Sequence, residues 1–164
     1  MLAPPRDRMD GRLMRARPIA LLVPAGLLGG ALASQYIGGL YPCEMCHWQR
    51  WPHAAAILLA VGALLSPLAA SRTRALTMLA ALAIAVSGAI GLFHAGVEYG
   101  WWEGLTSCTT TGATSLEDIL AVPLVRCDQV QWSLLGVSLA GWNAIISLGA
   151  AAVIAVLAGS RPRR

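Results

Sequence analysis

Four long stretches of this chain carry no charge, and they restrict its fold more than any other feature. No Asp, Glu, Lys or Arg occurs between Arg17 and Glu44, between Arg50 and Arg72, between Arg74 and Glu98, or between Asp128 and Arg161. A helix that crosses a bilayer needs about 20 mainly apolar residues, because the hydrocarbon core is about 30 Å thick and a helix rises about 1.5 Å per residue. The pattern therefore predicts an all-α integral membrane protein, a four-transmembrane-helix bundle with spans at about residues 18–40, 52–71, 75–97 and 133–158. Spanning strands do not fit, since they alternate apolar and polar side chains and must close into a barrel. Composition agrees: 12% of residues are charged and 57% hydrophobic. A soluble domain carries about 25% charge, and a disordered chain is far less apolar.

The few charges set an orientation. All 12 basic residues are Arg. Arg6, Arg8, Arg12, Arg15 and Arg17 precede the first span, Arg72 and Arg74 lie between the second and third, and Arg161, Arg163 and Arg164 follow the fourth. Only Arg50 and Arg126 fall in the other two connections. Cytoplasmic segments retain Lys and Arg, so both termini and the Arg72/Arg74 turn are expected in the cytoplasm. The chain then reads as a tail at 1–17, one membrane domain at 18–158 and a short tail at 159–164, with outward loops at about 41–51 and 98–132. The net charge of +4 serves insertion, and no nucleic-acid partner is expected. Ala31-Leu32-Ala33 before Ser34 has the look of a signal-peptide cleavage site. Retention is expected, because the uncharged run continues to Tyr41, longer than a signal peptide needs.

All four cysteines, Cys43, Cys46, Cys108 and Cys127, fall in the two outward loops. On an oxidising side they can form disulfides, and four cysteines allow three pairings. Two structural staples are one reading. Cys43-Glu44-Met45-Cys46 closes too small a loop to constrain a chain much, and such a ring suits redox cycling better. Pro52 is expected to help start a helix just after Cys46, so that helix amides and the Arg50 cation would favour the Cys46 thiolate.

Cys43-Glu44-Met45-Cys46-His47 also matches the pattern that attaches c-type haem, which makes a membrane-anchored haem electron carrier the rival reading. Against it, the connection is too short to wrap a macrocycle, and Cys108 and Cys127 would be left without a purpose. Zinc suits the chain less well, because the second cysteine pair lacks the tight spacing of a structural zinc knuckle. No metal is expected.

In the longer outward loop, Thr114-Ser115-Leu116-Glu117 reads as a capping box for a short interfacial helix that ends before Pro123. That piece either brings Cys108 and Cys127 toward Cys43 and Cys46 or merely covers apolar surface. A dithiol oxidised here must pass two electrons on, and the sequence holds no nucleotide-binding glycine motif. A quinone dissolved in the membrane is the natural acceptor. His94, near the outer end of the third span, is a quinone-site candidate, since intramembrane histidines are rare and usually functional; the alternative is a helix-end pair with Glu98. Tyr36, Tyr41, Trp48, Trp51, Tyr99, Trp101 and Trp102 suit the aromatic belt of a membrane interface.

Taken together, Cys43-Glu44-Met45-Cys46-His47-Trp48-Gln49-Arg50, His94, Cys108, Cys127-Asp128 and four apolar spans resemble the bacterial disulfide bond formation protein B (DsbB) family over about residues 18–158. In its Cys-x-x-Cys-x-x-Gln-Arg motif His47 holds a variable position, which weakens the haem reading. The resemblance implies an inner-membrane thiol:quinone oxidoreductase that reoxidises a periplasmic thioredoxin-like disulfide oxidase (DsbA-like) and uses ubiquinone or menaquinone. It further implies that Cys108 and Cys127 form the disulfide attacked by the partner, with Cys108 taking the mixed disulfide. Cys127 would then exchange with Cys43 and free the Cys46 thiolate toward quinone. Arg50 would stabilise that thiolate and the reduced quinone, His94 would complete the quinone site, and Gln49 is a motif position without an assigned role.

Overall fold

The computed structural model describes residues 10–66, 70–105 and 125–159. Cys108 and the expected interfacial helix after Thr114 lie outside these residues.

Helix α1, Gly11–Tyr36, starts earlier than the apolar run because Asp10 caps it. Asp10 is extended, and its Oδ1 accepts the Leu13 amide at 2.7 Å, satisfying one of the donors every helix leaves free at its start. Arg12, Arg15 and Arg17 therefore stand on helical turns. Arg17 is buried and donates to the Leu64 carbonyl at 2.9 Å, which ties the start of α1 to the end of the second helix. The helix stops where Gly38 and Gly39 follow, Gly39 with a φ of +68° that favours glycine.

Helix α2 is Glu44–Leu64. It begins well before Pro52, so Pro52 lies inside the helix, and the expectation that this proline marks the start is corrected. The cap is Cys43, whose Sγ accepts the Cys46 amide at 3.2 Å. The Cys-x-x-Cys ring is thus the first turn of the helix, and Arg50 stands one turn beyond Cys46. Helix α3, Ala70–Glu98, carries Arg72 and Arg74 on its first turns.

The fourth helix, α4, spans Leu139–Gly159 rather than starting near 133. The difference is a small antiparallel hairpin, β1 (Ser133–Leu134) with β2 (Val137–Ser138), paired Ser133 to Ser138 and Leu134 to Val137. Its turn places Leu135 and Gly136 at φ of 53° and 78°, the two positive angles of a type I′ hairpin turn. Tyr99, just past α3, donates its hydroxyl to the Gly136 carbonyl at 3.1 Å and accepts the Ser138 amide at 2.8 Å. Ser138 in turn accepts the Gly141 amide through its Oγ at 3.1 Å, so the hairpin fixes where α4 begins.

The helices pack as a ring, α1 against α2 and α4, and α3 against α2 and α4. The core is rich in alanine, with Ala16, Ala20, Ala56, Ala60, Ala80 and Ala158 all buried, and small residues let helices approach closely where lipid offers no hydrophobic drive to associate. Three helices, Gly11–Tyr36, Ala70–Glu98 and Leu139–Gly159, are long and apolar enough to cross a membrane. Helix α2 is polar over its first turns, where Glu44, His47, Gln49, Arg50 and His53 crowd. At the other end of the ring Arg74 pairs with Asp10 at 3.1 Å and also donates to the Ala158 carbonyl.

Candidate functional site

The first turn of α2 faces the last turns of α3. Cys43 is buried and Cys46 half-buried, with their sulfurs 2.8 Å apart as thiols. The Nε2 of His94 stands 3.5 Å from Cys43 Sγ and 3.8 Å from Glu98 Oε1, so the helix-end pairing and the contact with the cysteine occur together. Cys127 packs into the same buried cluster with Cys43, Met45 and Val97, and its sulfur hydrogen-bonds that of Cys43. His94 also hydrogen-bonds the backbone of Cys127. Cys43, Cys46, Cys127 and His94 are thus brought together from α2, α3 and the segment before the hairpin.

The two motif sulfurs differ in acidity. Hydrogen bonds to Cys127 and Cys46, with burial, push the Cys43 thiol up, whereas the hydrogen bond from Cys43 holds the Cys46 thiol below the ordinary thiol range. Cys46 is therefore the sulfur more readily ionised, and thiolate is the reactive form. Its support comes from the neighbouring sulfur. The Arg50 guanidinium turns toward α1, donating to Gln35 Oε1 at 2.6 Å and to the Ala31 carbonyl at 3.2 Å.

A cavity of about 280 Å³ adjoins the sulfurs. Helix α1 walls it with Gly26, Gly30 and Ala31, and α2 contributes Cys46, Arg50 and His53. His94 and Glu98 of α3 and Asn143 of α4 complete its polar side. Its size is near the lower end of small-molecule sites, roughly 300–1,000 Å³. Small apolar residues on one side of the cavity face a polar edge that offers sulfur, imidazole and guanidinium groups.

Behind His94 runs a polar network that sequence reasoning missed. Gln49 Nε2 lies 2.9 Å from His94 Nδ1 and donates to the Met45 carbonyl at 3.1 Å. Asn143 Nδ2 donates to Gln49 Oε1 at 2.8 Å, and Asn143 Oδ1 lies 2.9 Å from His53 Nε2. Ser87 donates to the Gln49 carbonyl at 2.8 Å, and Ser147 to Asn143 Oδ1 at 3.0 Å. Each such group left unpaired would cost about 1–3 kcal/mol, so the network has to be completed as a unit. One signal was available: Asn143 is an amide inside an otherwise apolar run, and polar residues at membrane depth are costly to keep. His47, by contrast, is exposed and lies outside the cluster; the histidine beside the sulfurs is His94.

The family model described as "Disulfide bond formation protein DsbB" matches residues 14–157. A disulfide bond formation protein B of Xanthomonas oryzae pv. oryzae is 30% identical over 155 residues, covering 89% of this chain and 90% of the relative. That of Aromatoleum aromaticum is 31% identical over 151 residues, 86% of this chain and 89% of the relative. That of Chromohalobacter salexigens is 32% identical over 134 residues, 76% and 78%. No solved structure matches the chain significantly. With a mostly helical, membrane-spanning chain whose paired thiols meet at one end of the bundle, and a family match that runs almost end to end, the protein belongs to the disulfide bond formation protein B family, multi-pass membrane oxidoreductases that form disulfide bonds.

Proposed function

We propose that the protein is a thiol:quinone oxidoreductase that reoxidises a periplasmic thioredoxin-like dithiol oxidase (DsbA-like) and passes the two electrons to membrane ubiquinone or menaquinone. The observation that carries this reading is the meeting of Cys43, Cys46 and Cys127 in one cluster beside a largely apolar cavity. The partner's thiolate attacks the Cys108–Cys127 disulfide at Cys108 and releases the Cys127 thiolate. That thiolate attacks Cys43 of a Cys43–Cys46 disulfide; the Cys127–Cys43 bond forms, the Cys43–Cys46 bond breaks, and Cys46 leaves as thiolate. Cys46 stands on the first turn of α2, where the free helix amides favour the departing thiolate.

The partner's second thiol then releases Cys108, Cys108 attacks Cys127 and displaces Cys43, and the Cys43/Cys46 dithiol returns to its disulfide as quinone takes up the two electrons and two protons. Cys46, Arg50 and His94 would hold it against the small-residue wall of α1. In this reading α2 is the second of four spans, since most of it lies in the uncharged run between Arg50 and Arg72. Both termini and the Arg72/Arg74 turn lie in the cytoplasm, and the protein sits in the bacterial inner membrane. The chain divides as tail 1–17, membrane redox domain 18–158 and tail 159–164.

The purified protein, given reduced thioredoxin-like oxidase and quinone, is expected to reduce the quinone as the partner's dithiol is consumed, and Cys46→Ser to abolish this. Full quinone reduction by that variant would remove the reading.

A further inference from the structure

The orientation of every amide between His94 and the bundle interior is fixed by two backbone carbonyls, which can only accept. Asn143 Nδ2 donates to the Ser87 carbonyl at 3.2 Å, so the same nitrogen is the donor to Gln49 Oε1 at 2.8 Å. Gln49 Nε2 donates to the Met45 carbonyl at 3.1 Å, which leaves its second hydrogen for His94 Nδ1 at 2.9 Å. A nitrogen that accepts there must hold a lone pair. Neutral imidazole then carries its proton on Nε2, the atom that faces Cys43 Sγ at 3.5 Å and Glu98 Oε1 at 3.8 Å and whose hydrogen the Cys127 backbone shares. Beyond Asn143 the far end is anchored too, since its Oδ1 accepts from Ser147 Oγ at 3.0 Å and from His53 Nε2 at 2.9 Å.

We propose that Gln49 and Asn143 are positioning residues that lock His94 in its Nε2–H tautomer and so aim a hydrogen-bond donor at the Cys43 sulfur. The tautomer follows from the contacts alone; its effect on rate rests on the thiol:quinone reading. An N–H at this distance favours the anionic form of Cys43, the form released when Cys108 attacks Cys127, re-forms the Cys108–Cys127 bond and breaks the Cys127–Cys43 bond, whereas a lone pair would oppose it. The same lock withholds a ligand. The two sulfurs and Nε2 lie within 4.8 Å of one another, an arrangement a soft metal ion would take only if Nε2 offered a lone pair.

The test uses the whole protein in lipid nanodiscs, labelled with nitrogen-15 histidine, with His94 assigned by the signals lost in His94→Gln. Ring shifts distinguish a protonated nitrogen from one bearing a lone pair. The wild type is expected to show the Nε2–H form alone. Asn143→Leu and Gln49→Met, both close in shape, are expected to give mixed tautomers and to slow quinone reduction about tenfold, as loss of a partner that orients an active-site histidine does. A wild-type ring that is mixed or Nδ1–H overturns the proposal, and so does a ring unchanged in both variants. If either variant fails to fold, the wild-type spectrum still decides. A wild type that holds the tautomer yet reduces no quinone would overturn the thiol:quinone reading and leave the lock standing.

Discussion

Cys46 can act as a thiolate at neutral pH only if something opposes the burial that favours its neutral form. The cap geometry supplies it: the Cys43 thiol donates to the Cys46 sulfur across 2.8 Å and holds it low, while Cys43 itself is pushed up. Alkylation follows the thiolate fraction, so in the reduced protein Cys46 should react with iodoacetamide at pH values where an ordinary thiol, with a pKa of about 8.5, is largely protonated. Removing the donor in Cys43→Ala should move the midpoint of the Cys46 rate profile to higher pH, read by peptide mass spectrometry. A midpoint unmoved by that change would show that the neighbouring sulfur is not the cause. The sequence made the sulfurs and His94 legible because their residue types carry chemistry. Helix amides and Arg50 are the supports the sequence suggests for the Cys46 thiolate; the direction in which the guanidinium turns was not legible there, because it depends on Gln35 and Ala31 of another helix. Gln49 and Asn143 were invisible as partners for the same reason, being joined only by α2–α4 packing.

At the level of elements, apolar runs located the four helices of the described residues but not their ends. Helix starts were set by Asp10 and Cys43, single capping side chains whose effect is local, and the hairpin at 133–138 hid within an uncharged run because its alternation is too short to register. Close packing of α3 on α4 has its own requirement. A Cβ on Gly91 would meet Asn143 Nδ2 at 2.9 Å, the Ala140 carbonyl at 3.0 Å and the Ala144 amide at 3.2 Å, and two of these are backbone atoms that cannot swing away. Gly149, on the same fourth helix, has nothing within 4 Å of that position. Gly91→Ala should therefore destabilise the protein by about 1–3 kcal/mol, the usual range for overpacking. Gly149→Ala should be neutral or slightly stabilising, since alanine is the better helix former. Unfolding in mixed detergent measures both, and equal stabilities would mean that α3 and α4 are not held at this spacing.

Across the whole molecule, the scarce charges divide by function between two ends. One end gathers Asp10, Arg17 and Arg74, which tie helix termini together through the Leu64 and Ala158 carbonyls and an ion pair. The other gathers the sulfurs, His94 and Glu98 around the cavity. Arginine is costly to translocate, so the first end should be the cytoplasmic one, and the thiols then meet their partner outside. Two exposed positions separate the alternatives: Leu65, at the end of α2 beside Arg17, is 77% exposed, and Trp101, just beyond α3, is 64% exposed. In a background with the four native cysteines replaced by alanine, Trp101→Cys should react with a membrane-impermeant maleimide on intact spheroplasts. Leu65→Cys should react only after the membrane is opened. Labelling of Leu65→Cys in sealed spheroplasts, with Trp101→Cys protected, would invert the topology and place the cysteine cluster on the reducing side, where no net disulfide formation could be sustained.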